Sequence, residues 1–226
     1  MTVQSVIHYF LGYGAATMQK GNTGSQQRQE AVLRAAVEVF AKRGFQGATV
    51  EEIARRAGVA KGTPYLYFSD KADMFYAVFE QWSSEIIAAG SPLESSARSS
   101  ARDRLMALAL GAADYMGAHR EWFPLSMEVW AASGIPALRE RFSEALKELY
   151  ARYRETIVAI VHSGQVSGEF RKDVDPYALA ALLTGAVDGL FLQCWFDPQL
   201  NAKHLLHGFF DVLLRGLANP ELGDRS

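Results

Sequence analysis

Thr49-Val-Glu-Glu-Ile-Ala-Arg-Arg-Ala-Gly58, followed by Val59-Ala-Lys-Gly-Thr-Pro-Tyr-Leu-Tyr-Phe68, is the stretch on which the reading of the chain turns. Thr49 and Glu52 have capping-box spacing. The threonine hydroxyl can accept from the Glu52 amide while the glutamate reaches back, which starts a helix at Thr49. Ile53, Ala54 and Ala57 give that helix an inward face, and Gly58 ends it. A short third helix follows. Pro64 stands in its first turn, where a missing N–H costs little. Val59, Leu66 and Phe68 read as core. Two short helices around a glycine turn have the dimensions of a helix-turn-helix.

Helical periodicity continues on both sides. Leu33, Ala36, Val37 and Phe40 recur at i, i+3, i+4, i+7 and predict one apolar stripe on a helix from about Gln26 to Arg43, stopped by Gly44. Asp70 caps a helix from Lys71 to about Ala88, with Met74, Phe75, Val78, Phe79 and Trp82 as core positions. Beyond a Ser-rich loop reaching Ser100, helices are expected at about 102–119, 122–132 and 136–163. Gly164 and Gly168 interrupt the pattern. Asp175-Pro176 then starts a helix to Phe196, and a last one spans 202–217. Alternating β-branched runs are missing. The fold class is all-α: a three-helix N-terminal head with a larger helical domain behind it. The expected boundaries are a flexible extension at 1–24, a head at 25–71, a ligand-binding and dimerisation domain at 72–219 and a tail at 220–226.

Charge is uneven. Residues 25–71 hold eight Lys/Arg against five Asp/Glu, or +3, although the whole chain carries −2. A basic module on an acidic body suits a polyanion at one end only. The single cysteine, Cys194, lies among Phe191, Leu192 and Trp195; it permits no internal disulfide and fits a reducing cytoplasm. No stretch was expected to reach the roughly 20 apolar residues of a membrane span. His204 and His207 share a helix face, but Asp211 is the one carboxylate, and there is no cysteine, within a turn toward the C-terminus, so the pair reads as solvated rather than as a metal site. Gly-rich phosphate loops, nucleophile elbows and HExxH pairs do not occur. Neither catalysis, a metal nor a cofactor is expected.

The second helix of a helix-turn-helix enters the DNA major groove. Lys61 can donate to phosphate or guanine. The Thr63 hydroxyl meets either partner, and its methyl can meet a thymine methyl. Gly62 lets the backbone approach. Tyr65 and Tyr67 donate to phosphate without adding charge. Lys71, at a helix start, is placed to hold a phosphate with the free N–H groups there.

Residues 26–75 resemble the N-terminal domain of TetR-family regulators, from Val39-Phe-Ala-Lys-Arg-Gly-Phe45 through the two stretches quoted first to Asp70-Lys71. The resemblance implies a DNA-contacting set of Thr49, Lys61, Gly62, Thr63, Tyr65, Tyr67 and Lys71. Glu51 stands where an Arg gives some members a base contact. It further implies an Ω-shaped homodimer joined through the last two helices, a palindromic double-stranded operator, and a repressor released by a small lipophilic inducer. Ala181, Gly185 and Gly189, with Leu205, Phe209, Val212 and Leu213, supply faces for such a dimer. The inducer is expected among Trp82, Met106, Leu110, Asp114, Trp122, Phe123, Met127, Trp130, Tyr150 and Gln193, with Tyr115 and His119 as further polar anchors.

Overall fold

A computed structural model describes residues 23–90, 99–120, 122–136 and 138–219. Most of the expected extension, the Ser-rich loop at 91–98 and the tail lie outside the described residues. The elements are α1 (Thr23–Gly47), α2 (Val50–Ala57), a 3-10 turn (Thr63–Leu66), α3 (Lys71–Gly90), α4 (Ala101–Ala118), α5 (Trp122–Ala132), α6 (Arg139–Val166), α7 (Pro176–Phe196) and α8 (Ala202–Leu217). The fold is all-α; among the described residues the β pairing is one isolated bridge, Phe170 with Ala218. Two compact units emerge: residues up to Glu85 with Glu121–Phe142, and Ile86–Arg120 with Ser143 onward. The chain passes between them three times: within α3, between α4 and α5, and within α6.

In the first unit, α1 begins at Thr23, so the last two residues of the expected arm are helical. It breaks at Gly44, where φ is 67° and ψ 170°. Glu128 on α5 accepts from the Phe45 N–H there at 2.9 Å. A Cβ on Gly44 would come within 2.7 Å of that carboxylate, so both backbone conformation and space require glycine. The buried face of α1 is Val32, Ala35, Ala36, Val39 and Phe40; Leu33 and Val37, expected in the stripe, are only half-buried. The stripe is rotated because α2 and α5 both pack on α1 and draw in a wider face than one four-residue ladder marks. Phe40, Phe45, Phe75 and Phe142 continue the core as a chain of rings 5.0–5.3 Å apart from Phe75 outward.

The second unit is built on Leu105, Val161, Phe170, Leu183, Leu206, Phe210 and Leu214. Gly164 sits under the Phe170 ring, and a Cβ there would lie 2.4 Å from it. Glu169 closes the N-terminus of α4: its two carboxylate oxygens accept from the Ala101 and Arg102 amides at 2.7 and 2.8 Å, where the helix dipole favours a negative charge.

Candidate nucleic-acid interface

Local rules hold the helix-turn-helix in shape. Thr49 Oγ1 accepts from the Glu52 amide at 3.1 Å, so Thr49 is the cap of α2. Gly58 takes the left-handed conformation (φ 71°), and its amide and that of Val59 satisfy the carbonyls of Arg55 and Ala54 at 3.2 and 3.0 Å. The short third helix is a 3-10 turn, tighter than an α-helix. Tyr67 and Phe68 both donate to the Pro64 carbonyl at 3.0 Å.

Pro64 and Phe68 are buried and fix this turn at each end. Lys61, Gly62 and Tyr65 face solvent; Thr63 and Tyr67 are half-buried. The Tyr67 hydroxyl lies 3.4 Å from Ser25 Oγ. A Cβ on Gly62 would meet nothing within 4 Å, so internal packing does not demand glycine there. Leu66, expected in the core, is 76% exposed. In a 3-10 turn the inward positions recur every three to four residues from Pro64, and Leu66 falls between Pro64 and Phe68 on the outer side.

Two lysines have partners that bear on their expected roles. Lys61 pairs with Glu51 at 2.9 Å, both side chains largely exposed. The hydrogen bond and charge of Glu51 hold the Lys61 ammonium above the ordinary lysine range. Glu51 thus occupies the cation that a phosphate would take. Lys71, expected on a phosphate, is turned to the end of α1: Nζ donates to the carbonyls of Phe45 at 2.8 Å, Ala48 at 3.1 Å and Gln46 at 3.4 Å, and lies 4.6 Å from the Phe45 ring centre. An ammonium has three donors, and here all three point at carbonyls. Lys71 ties α3 to the α1–α2 corner.

The expected ligand residues divide between the units. Trp82, Trp122, Phe123, Met127 and Trp130 belong to the first; Met106, Leu110, Asp114, Tyr150 and Gln193 belong to the second. Trp122 and Phe123 are core. Among the described residues Trp82 Nε1 is buried without a hydrogen-bond acceptor, as is Gln81 Oε1 without a donor. Asp114 is not a buried anchor: it is exposed and forms an ion pair with Lys203. Gln193 is exposed as well, donating to the Gly189 carbonyl at 3.2 Å. Tyr115 and His119 lie ring to ring at 4.6 Å. Tyr150 donates to Asp188 Oδ2 at 2.8 Å. Burial raises the Asp188 carboxyl above its ordinary range and pushes the nearby Tyr153 phenol up. Asp188 is the one charged residue of a largely apolar helix, and that isolation is the sequence signal for a half-buried acid.

The outer faces of α7 and α8 are apolar. Tyr177, Leu182 and Phe196 on α7, and Leu205, Phe209 and Val212 on α8, are exposed; Ala181 and Gly185 lie open beside them. By length and composition alone α7 could cross a membrane, which corrects the reading that no stretch approaches that requirement. The run from Pro176 to Phe196 was underrated because Asp188, Thr184 and Gln193 interrupt it.

Two family models match the chain. "Bacterial regulatory proteins, tetR family" covers residues 32–78. "BetI-type transcriptional repressor, C-terminal" covers residues 101–217. The HTH-type transcriptional repressor NicS of Pseudomonas putida is 30% identical over 203 residues, spanning 86% of this chain and 88% of that protein. The fatty acid metabolism regulator protein of Bacillus subtilis is 26% identical over 191 residues, spanning 83% and 94%. A crystal structure of the Bacillus subtilis regulator FadR, in complex with stearoyl-CoA, superposes with a TM-score of 0.70 at 24% identity, covering 83% of this chain and 98% of that one.

Proposed function

This chain belongs to the TetR family of bacterial regulatory proteins, DNA-binding transcriptional regulators rather than enzymes, and we propose that it is a cytoplasmic homodimeric repressor released from a palindromic operator by a lipophilic inducer. The observation that carries this is the 3-10 turn held inward by Pro64 and Phe68, which leaves Lys61, Gly62 and Tyr65 facing out with Thr63 half-buried beside them. Lys61 contributes charge to a phosphate, exchanging Glu51 for it. Thr63 and Tyr65 contribute hydroxyl groups, and Tyr67 joins them at the rim. Thr49 caps α2 and offers its hydroxyl beside the backbone of the site. Lys71 supports the turn by fastening the corner behind it.

Dimerisation uses α7 and α8. The exposed Leu182, Phe209 and Val212 are supported as contacts by the high apolar content typical of homodimer interfaces. The open small residues Ala181 and Gly185 allow close helix approach. Two heads about 34 Å apart then read two half-sites one DNA turn apart.

The inducer is lipophilic. In support, the aromatic and methionine content of α4 and α6 in the second unit suits an apolar pocket with few polar anchors, and a relative sharing 26% identity regulates fatty acid metabolism. The Tyr150–Asp188 pair of the second unit is the polar group with which such a ligand would exchange hydrogen bonds. Coupling runs along α3, which starts at Lys71 beside the recognition turn and continues past Glu85 into the second unit. A coupling free energy of about 1–3 kcal/mol is sufficient for control of this kind.

The test is binding of the purified protein to DNA flanking its own gene, across a series of salt concentrations. Sequence-selective binding is expected. Lys61→Ala should weaken it equally on all sequences and lower the salt slope by about 1.8 for the two phosphates a dimer loses. Thr63→Ala should loosen specificity instead. Indifference to every duplex at low ionic strength would refute the reading. Long-chain acyl compounds should lower the affinity, and spin labels on the two heads should then report a changed separation.

A further inference from the structure

We propose that Leu66 reads a thymine methyl group in each operator half-site, which makes it a specificity-determining residue; the inference rests on the operator-binding reading above. Leu66 is the most exposed side chain of the recognition element, at 76%, and its neighbour Tyr65 is 56% exposed. An exposed leucine on an ordinary surface needs no explanation. This one ends the turn that Thr63 begins, five residues after Lys61, and its direction is fixed. Pro64 before it and Phe68 after it are buried, and the Tyr67 and Phe68 amides both close onto the Pro64 carbonyl. The side chain therefore has no route back to the core.

Position decides what it can meet. A 3-10 helix has three residues per turn, so i and i+3 lie one above the other. Thr63 and Leu66 are the first and last residues of this turn and share one face. That face carries a methyl at one end and an isobutyl group at the other. The floor of the major groove presents donors and acceptors on every base pair, and its apolar feature is the C5-methyl of thymine. An isobutyl group against any other edge would strip water from polar atoms and give them no hydrogen bond in return. The chemistry of Leu66 thus selects thymine at the base it covers, with Thr63 covering a neighbouring one.

The experiment selects duplexes from a random pool with the wild-type protein, then replaces each thymidine of the selected site by deoxyuridine, which removes the methyl and nothing else. Affinity is read by fluorescence anisotropy. One symmetric pair of positions should show a loss of about four-fold for one methyl and roughly fifteen-fold for both, the value of burying a methyl-sized group. Leu66→Ala should melt like the wild type, bind more weakly and be insensitive to deoxyuridine at that pair; Leu66→Met should retain the sensitivity. Thr63→Ser, which removes the other methyl, should leave that pair sensitive and affect a different one. Uniform indifference to deoxyuridine, or full sensitivity at that pair in Leu66→Ala, would overturn the assignment while sparing the operator reading. A wild-type protein that enriches no sequence would overturn both.

Discussion

Both the recognition turn and the α7–α8 pair put large apolar side chains in solvent, but in different patterns. In the turn, Tyr65 and Leu66 are set among Lys61, Gly62 and Thr63, on a segment of a few residues with two buried anchors. On α7 and α8 the exposed residues Leu182, Leu205, Phe209 and Val212 run along helices of 21 and 16 residues, with exposed small residues beside them. Isolated apolar groups among donors match a groove lined by phosphates and base edges. A continuous apolar face matches a surface like itself. Exposure alone does not distinguish the two uses; the spacing of polar groups does.

Breaking the larger face should have the greater consequence. Phe209→Glu, a charge at the middle of α8, should yield a folded monomer by sedimentation, and its affinity for a two-half-site operator should fall by about 10² to 10⁴ as bivalency is lost. A variant that stays dimeric would assign that face to another partner. Lys71→Met tests whether the head rests on the corner at α1. Three carbonyls lose a charged donor, and about 1–2 kcal/mol of stability should go with it, less than a fully buried site would lose because the side chain is half-exposed. The melting temperature should drop while the salt slope of DNA binding stays unchanged. A lowered slope at unchanged stability would return Lys71 to a phosphate.

Glu51→Gln sharpens the comparison from the polar side. It frees Lys61, so binding should strengthen a few-fold on all sequences and the salt slope should steepen. No change in either would mean that the Glu51 pair does not compete with DNA. The smallest effect is expected inside the second unit. Asp188 has a raised carboxyl pKa, so the folded state holds its proton more tightly than the unfolded chain. Its burial therefore costs nothing at low pH, and stability is lost as pH climbs from the ordinary carboxylate range through the raised value. Asp188→Asn should remove that slope, seen as a melting difference from wild type that changes as pH climbs above the ordinary carboxylate range. A difference constant over that climb would show the acid to be normal.

The head was legible because its signals are local. A cap at Thr49, a left-handed glycine at Gly58 and a proline at Pro64 each act over five residues or fewer, and the structure has all three in place. What depended on packing was harder to read. The α1 stripe came out rotated because two helices cover it. Leu66 read as core on hydrophobicity alone, whereas the turn geometry puts it outside. Lys71 reads as a phosphate contact from its place at a helix start, and the carbonyls that it meets in the fold lie 23 to 26 positions away in sequence. Among the ligand residues, aromatic content pointed to α3–α6, but composition cannot tell a core ring such as Trp122 from a pocket wall. Asp114 and Asp188 look alike as letters. One faces Lys203 in solvent and the other a tyrosine in the interior.

The division of labour in the turn bears on how such regulators diversify. Pro64 and Phe68 carry the architecture, whereas Lys61, Gly62, Tyr65 and Leu66 contribute little to it. Most substitutions at those four positions leave folding untouched, so after a gene duplicates, one copy can drift to a new promoter while both copies remain sound proteins.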